Sequence, residues 1–308
     1  AAMKAGAGLL ADADVLIRSS TDPLLTLEYH RHFTHSIFFV PLAALVAAVI
    51  LWPFLRSRLA FRRLYLFAFL GYALSGVLDA CTSYGTHLFW PLSHERVAWN
   101  LIAIVDPVFT LVLLAAVSVA LIKRRPRAAW IGLALAGLYL VGGWVQQHRA
   151  EGVARTIAEE RQHSVERLLV KPTLGNILLW RTVYQSGGEF HVDAVRVGLG
   201  STGVYPGGRL ARVVPERDLT ALPPDSTALR DAMRFAAFAD GYTVTHPERP
   251  DVLGDVRYAN SPNGLIPLWG IALNPERPQE HGRYLFFRDL GREQRRQFWA
   301  MLRGHEAP

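Results

Sequence analysis

The stretch Ser36–Leu55, SIFFVPLAALVAAVILWPFL, runs for 20 residues without a charge. A bilayer core needs about 20 apolar residues per helix, so this segment points the whole reading toward a membrane. Three further stretches share its character. Leu64–Ala80 (LYLFAFLGYALSGVLDA) has one acid near its end, Val97–Ile122 contains one Asp, and Ala128–Val145 (AAWIGLALAGLYLVGGWV) has no charge. A soluble bundle would need polar faces that these segments lack. The expectation is an α-helical integral membrane domain of about four transmembrane helices over residues 1–150. Ala5–Ile17 reads as the end of a further, truncated helix, and the opening AAMKAGAGLL does not read as a cleavable signal peptide.

The composition agrees. The 308 residues are 51% hydrophobic and 19% charged, with a net charge of +7, which excludes a disordered or collagen-like chain. The length suggests two domains. Residues 1–150 hold 13 Lys and Arg against 7 acids, so nearly all the excess sits in the apolar half. That is not the pattern of a nucleic-acid domain, and no nucleic-acid partner is expected. Cys81 is the only cysteine, which excludes a disulfide framework and a cysteine-rich zinc site.

Loop charges set the orientation. Arg56, Arg58, Arg62 and Arg63 follow the first span; Lys123, Arg124, Arg125 and Arg127 follow the third. Neither loop contains an acid, and the positive-inside rule makes both cytoplasmic. The seven acids of this half then lie toward the other face. After four spans, residues 151–308 emerge there too, on the extracytoplasmic side of a bacterial inner membrane.

Residues 151–308 read as a small soluble α+β domain. Glu151–Glu166 is a charged helical stretch. Leu168–Val170, Ile177–Tyr184, Phe190–Val197 and Leu265–Leu273 read as strands. SGG at 186–188, PGG at 206–208 and PP at 223–224 punctuate them. Ser226–Ala239 and Arg292–Arg303 read as helices.

Ionisable residues inside a span are functional candidates by default. Asp79 lies 16 residues past Arg63 and Asp106 lies 17 before Lys123. Both therefore sit roughly 24–26 Å from the inner boundary, at one level just beneath the outer surface. His35, 21 residues before Arg56, reaches the same boundary. The approach to the first span, Tyr29-His30-Arg31-His32-Phe33-Thr34-His35-Ser36, is dense in imidazoles. Asp12 and Asp14 lie upstream, and both can face one ion if the chain is extended there. Neutral imidazole suits Zn, Mn, Fe or Ni, and carboxylates broaden the choice toward Mn or Mg. In the loop after the second span, Phe89 and Trp90 read as interfacial aromatics. Thr82 and His87 can join Asp79 in a site.

Taken in order, ADADVLI, DPLLTLEYHRHFTHS, LDACTSYGTHLFWPLS and NLIAIVDPVFT resemble the bacterial family of membrane-bound metal-dependent hydrolases, which includes the LexA-regulated inner-membrane hydrolases. KPTLGNILLWRTV resembles the family's stretch after its last span, so the likeness covers about 12–185. It implies a divalent metal held by Asp and His, and hydrolysis. Carried onto this chain, the acidic pair is Asp12 and Asp14. The His-Arg…Thr-His motif supplies His30, Arg31, Thr34 and His35, and the Leu-Asp and Asp-Pro motifs supply Asp79 and Asp106. Three departures stand out: Ala11 where the family usually has Pro, His32 where it usually has Gly, and no counterpart of a further N-terminal His.

The combined expectation is a metal-dependent hydrolase at the outer membrane–water boundary. Asp12, Asp14, His30, His35, Asp79 and Asp106 are its candidate metal ligands, and Arg31, Thr34 and His87 its candidate catalytic residues. Zinc is the first choice of metal, with Mn or Mg as alternatives. Arg31 suits an anionic phosphate, and His87 is a candidate proton donor beside a structural role. The depth of the acids favours a membrane lipid or lipid-linked substrate. The competing expectation is a non-enzymatic membrane protein that conducts ions or protons, or anchors the C-terminal domain.

Overall fold

The structure is a computed structural model that describes residues 11–198, 200–288 and 291–305. The opening AAMKAGAGLL, and with it the first part of Ala5–Ile17, lies outside the described residues. The chain forms two compact units, residues 1–100 and 101–308, and each is described by itself.

The first unit opens with a 3-10 turn, Ala11–Leu16, a short helix α1 (Leu25–Tyr29) and a second 3-10 turn, Phe33–His35. Two long helices follow, α2 (Val40–Leu55) and α3 (Phe61–Ala80). Their contact is built from small residues. Ala44 and Ala47 of α2 pack on Ala68 of α3, and Val40 and Ala43 pack on Tyr72. The large side chains point away: Leu42, Leu45, Val49 and Ile50 on α2, and Leu66, Leu70 and Leu74 on α3, are exposed. Small inside and large outside reverses the soluble pattern. It suits lipid, where van der Waals contact between close backbones holds helices together.

The first span departs from expectation at its start. Ser36–Phe39 form a turn, and the helix begins at Val40, with Pro41 in its first turn. Leu25–His35 and Val40–Leu55 make a pair bent by 86°, so together they amount to one broken span.

In the second unit, Leu101–Asp106 is irregular before α4 (Pro107–Ile122) and α5 (Pro126–Glu160). The expected span over Val97–Ile122 is thus shortened to 16 helical residues. The reason is local. Asp106 is extended, and its side chain caps the helix by accepting from the Phe109 N–H, while Pro107 takes the first helical position, where a missing N–H costs nothing. α4 and α5 approach closely at Gly132, where an added Cβ would lie 2.1 Å from the Ala116 Cβ. Among the described residues, α3 and α5 are long and apolar enough to cross a membrane, and the bent pair makes a third candidate. The structure thus supports two or three crossings where the sequence predicts four.

α5 does not stop with its apolar part. It continues through the charged stretch to Glu160, a rod of 35 residues and about 52 Å. It ends there, not at Glu166. Gln162 then takes a left-handed turn (φ 60°), and the chain enters the first sheet.

That sheet is an antiparallel meander of β1 (Arg167–Pro172), β2 (Leu179–Ser186), β3 (Glu189–Val197) and β4 (Thr202–Ala211). Alternation gives it two faces. Trp180 and Val195 face α5 and pack on Ala150 and Ile157. Val183 and Val192 face the second sheet and pack on Val244 and Val256. The second sheet is also antiparallel: β5 (Thr243–His246), β6 (Arg249–Asp255), β7 (Trp269–Ala272) and β8 (Arg283–Phe286). PGG at 206–208, expected as punctuation, lies inside β4. Gly207 allows this, because a Cβ there would lie 2.2 Å from the Asn263 carbonyl oxygen. Of Leu265–Leu273 only Trp269–Ala272 is strand. Among the described residues the unit also holds the helices α6 (Pro215–Asp218), α7 (Thr227–Phe238, capped by Ser226) and α8 (Arg292–Arg303).

Candidate functional site

The polar cluster of the first unit is organised by one face of α3. Tyr72, Gly76 and Asp79 are spaced four and three apart, so they line one side of the helix. The Tyr72 hydroxyl donates to the Thr34 carbonyl oxygen. Gly76 sits directly against the His35 backbone, where an added Cβ would lie 2.2 Å from the carbonyl oxygen. This close approach brings Asp79 Oδ2 to 3.0 Å from His35 Nε2. Asp12, from the first 3-10 turn, places Oδ1 3.7 Å from the same nitrogen.

The two sides of the His35 ring differ. Nδ1 lies 3.0 Å from Thr34 Oγ1 and 3.5 Å from Asp14 Oδ2. Asp14 is saturated with donors: the Arg31 backbone N–H at 2.6 Å, Thr34 Oγ1 at 3.1 Å and His30 Nδ1 at 3.4 Å. Burial alone would raise the Asp14 pKa, but the hydrogen bonds from His30 and the Arg31 N–H, with the charges of His30 and His35, hold it below the usual carboxylate value. A hydroxyl has one proton to give. Since Thr34 gives its proton to Asp14, it accepts from Nδ1–H of His35. A neutral His35 therefore carries a lone pair at Nε2. That nitrogen is buried and makes no hydrogen bond, yet two carboxylate oxygens stand beside it.

Neutral imidazole and carboxylate are donor types that divalent metals accept. Ligands at zinc distances of about 2.0–2.1 Å in tetrahedral array stand about 3.3 Å apart. The Nε2 separations of 3.0 and 3.7 Å bracket that spacing. The ligand atoms of Asp12, His35 and Asp79 do not all lie within 4.8 Å of one another, so only the His35–Asp79 and His35–Asp12 pairs are close; Asp14 and Thr34 stand on the far side of the ring, where partners that fix a ligand's tautomer stand.

Arg31 closes the cluster. Its Nη2 lies 3.0 Å from Asp79 Oδ1, and its Nη1 donates to Thr82 Oγ1 at 3.1 Å. Its backbone is left-handed (φ 58°), an uncommon state for a non-glycine residue. The strain is held by bonds on both sides of the peptide: N–H to Asp14, and C=O from the His87 N–H and the Thr86 hydroxyl.

The structure thus brings together Asp12, Asp14, His30, Arg31, Thr34, His35 and Asp79. His87 supports Arg31 through its backbone, and its ring stands 4.5 Å from that of His32. Burial, aided by the Arg96 charge, pushes the His87 pKa down to about 4. At neutral pH it therefore has no imidazolium proton to donate. Asp106 belongs to the second unit. Its Oδ1 caps α4 and its Oδ2 accepts from the Tyr139 hydroxyl of α5 at 2.9 Å, so both oxygens are committed to the helix pair. Sequence reasoning missed Tyr72 and Gly76. Their signal was their spacing from Asp79.

Apolar helices with small residues inward and large residues outward, gathered beside a buried Asp/His cluster, define a helical membrane protein. Residues 1–150 match the family model described as YdjM inner membrane protein. The first half of the chain is therefore similar to a family of inner membrane proteins, and the match covers the whole cluster. No curated protein and no solved structure matches the chain.

Proposed function

We propose that the chain is a metal-dependent hydrolase of the inner membrane, acting on a lipid-like ester, with a phosphoester as the first choice. The observation that carries this reading is the unbonded His35 Nε2 standing between carboxylate oxygens of Asp12 and Asp79. His35 and Asp79 would hold the ion, with Asp12 drawn in toward it, zinc first, with Mn or Mg as alternatives. Such an ion, when bound, lowers the pKa of water and polarises the bond under attack. Asp14 and Thr34 keep the His35 proton on Nδ1. Arg31 offers its guanidinium beside Asp79, where it can hold an anionic oxygen of the substrate. Asp79 ends an apolar helix, so a substrate reaching it along that helix is amphipathic. The basic residues before α5 (Lys123, Arg124, Arg125 and Arg127) orient this helix outward from the cytoplasm, which makes residues 146–308 extracytoplasmic.

The test is elemental analysis of protein purified without chelator, joined to a hydrolysis screen on phospholipids and polyprenyl phosphates. Bound metal and turnover in the wild type, both lost in Asp79→Ala, support the reading. An active, metal-replete Asp79→Ala protein overturns it. A second reading rests on the Arg31–Asp79 ion pair: a protonated His35 would complete a metal-free charge network in a non-enzymatic membrane protein. Metal-free wild type with no turnover selects that reading.

A further inference from the structure

The C-terminal helix α8 is amphipathic in an unusual sense. Met301 is buried against Leu179, Ala194 and Tyr205, with Phe298 and Leu302 beside it. On the other side, Arg292, Arg295, Arg296, Trp299 and Arg303 are all exposed. At 3.6 residues per turn these five positions fall within an arc of about 100°. Glu293, the one acid of the helix, lies outside that arc. A single face therefore carries four cations and a Trp that is 52% exposed.

The location of this face follows from hydrogen bonds within the second unit. The apolar part of α5 ends at Val145. One residue on, Gln146 Nε2 donates to the Val197 carbonyl at 2.7 Å, and Arg149 Nη2 donates to that of Gly198 at 2.8 Å. The adjoining residue, Arg196, donates through Nε to the Leu302 carbonyl at 2.8 Å. The end of β3 thus ties the last turn of α8 to the point where α5 leaves its apolar segment. Just before β2, the Ile177 side chain lies 3.6 Å from where a Cβ on Gly142 would stand, so the start of β2, on which α8 packs, also lies near this boundary.

We propose that the exposed face of α8 docks on the anionic phospholipid surface of the membrane in which α5 is anchored. Charge complementarity names the partner: guanidinium groups pair with lipid phosphates, and a Trp among them is the side chain favoured at headgroup level. Each arginine near an anionic leaflet contributes about fivefold to the docked-to-free ratio, and the attraction falls within a Debye length. The proposal is independent of any catalytic activity.

The test places a nitroxide label at Trp299→Cys in the full chain. Cys81 is buried, and unsubstituted protein serves as the labelling control. The labelled protein is reconstituted in vesicles of phosphatidylcholine with or without phosphatidylglycerol, and relaxation by oxygen and by a water-soluble nickel chelate reports depth. The expected result is an interfacial label in phosphatidylglycerol vesicles that moves toward water in pure phosphatidylcholine or high salt. Replacing Arg292, Arg295, Arg296 and Arg303 by Gln should reduce the docked-to-free ratio by roughly fivefold per residue. A label at Arg230→Cys, on α7, should stay in water throughout. A water-exposed label at 299 in both vesicles overturns the proposal. So does a protected label that depends on protein density in the vesicle and not on lipid charge, which would assign the face to protein contact.

Discussion

At Gly76 the His35 backbone leaves no room for a methyl group. A Cβ there must push His35 or α3 aside, and overpacking of this kind costs about 1–3 kcal/mol. Gly76→Ala should lower the unfolding temperature of the detergent-solubilised protein and, on the proposed function, weaken metal binding, whereas Gly137→Ala, in open space on α5, should do neither. Asp14→Asn tests the far side of the His35 ring: losing an outer partner of a ligand typically costs roughly 10–100-fold in metal affinity, read by titration with a competing chelator. His87 supplies a pH dependence. Its pKa is lowered on folding to about 4, so the stability it contributes is full above the unfolded value near 6.5 and falls as pH drops toward 4. Buried His191 and His246 shift the same way. Unfolding temperature should therefore fall between pH 6.5 and 4, and His87→Gln should flatten part of that slope. Much of the site was legible in the sequence, because charged and imidazole side chains are conspicuous beside apolar runs. Gly76 and Tyr72 were not, since a small residue and an aromatic in such a helix look like ordinary packing until their partner is known. Nor could spacing separate Asp12 from Asp14: the 3-10 turn sends one to Nε2 of His35 and the other to Nδ1.

At the scale of elements, the apolar segments were legible by length and the strands only in part. α3 and α8 follow their composition closely, and α7 follows its composition and its Ser226 cap. The third expected span is shortened to 16 helical residues because Asp106 and Pro107 start the helix in the middle of an apolar run, and hydropathy alone does not register a cap. β4 was hidden by Pro206-Gly207-Gly208, which reads as a turn. It is a strand because Gly207 lets the Asn263 backbone approach, a contact between residues far apart in sequence. Gly207→Ala should consequently destabilise the protein by about 1–3 kcal/mol, measurable as a lowered unfolding temperature. Ser226→Ala should cost about 1 kcal/mol by removing the α7 cap.

At the scale of the molecule, the charge asymmetry becomes a statement about sides. If α5 runs outward from its basic start, an alkaline phosphatase fused after Pro308 is exported and active, and a cytoplasmic reporter at the same point is dark; the reverse pattern would refute the orientation. The packing of α5 against the first sheet was not legible in the sequence, because the helix that crosses lipid and the helix that supports that sheet are one element with two compositions. That continuity has a mechanical consequence. Residues 146–160 extend the anchored rod by about 22 Å with no hinge between membrane and domain. A tilt of the anchor by 20° would therefore sweep the far end of the rod through about 8 Å. The first sheet rides on a lever, so a change in bilayer thickness is felt as movement of the domain above it.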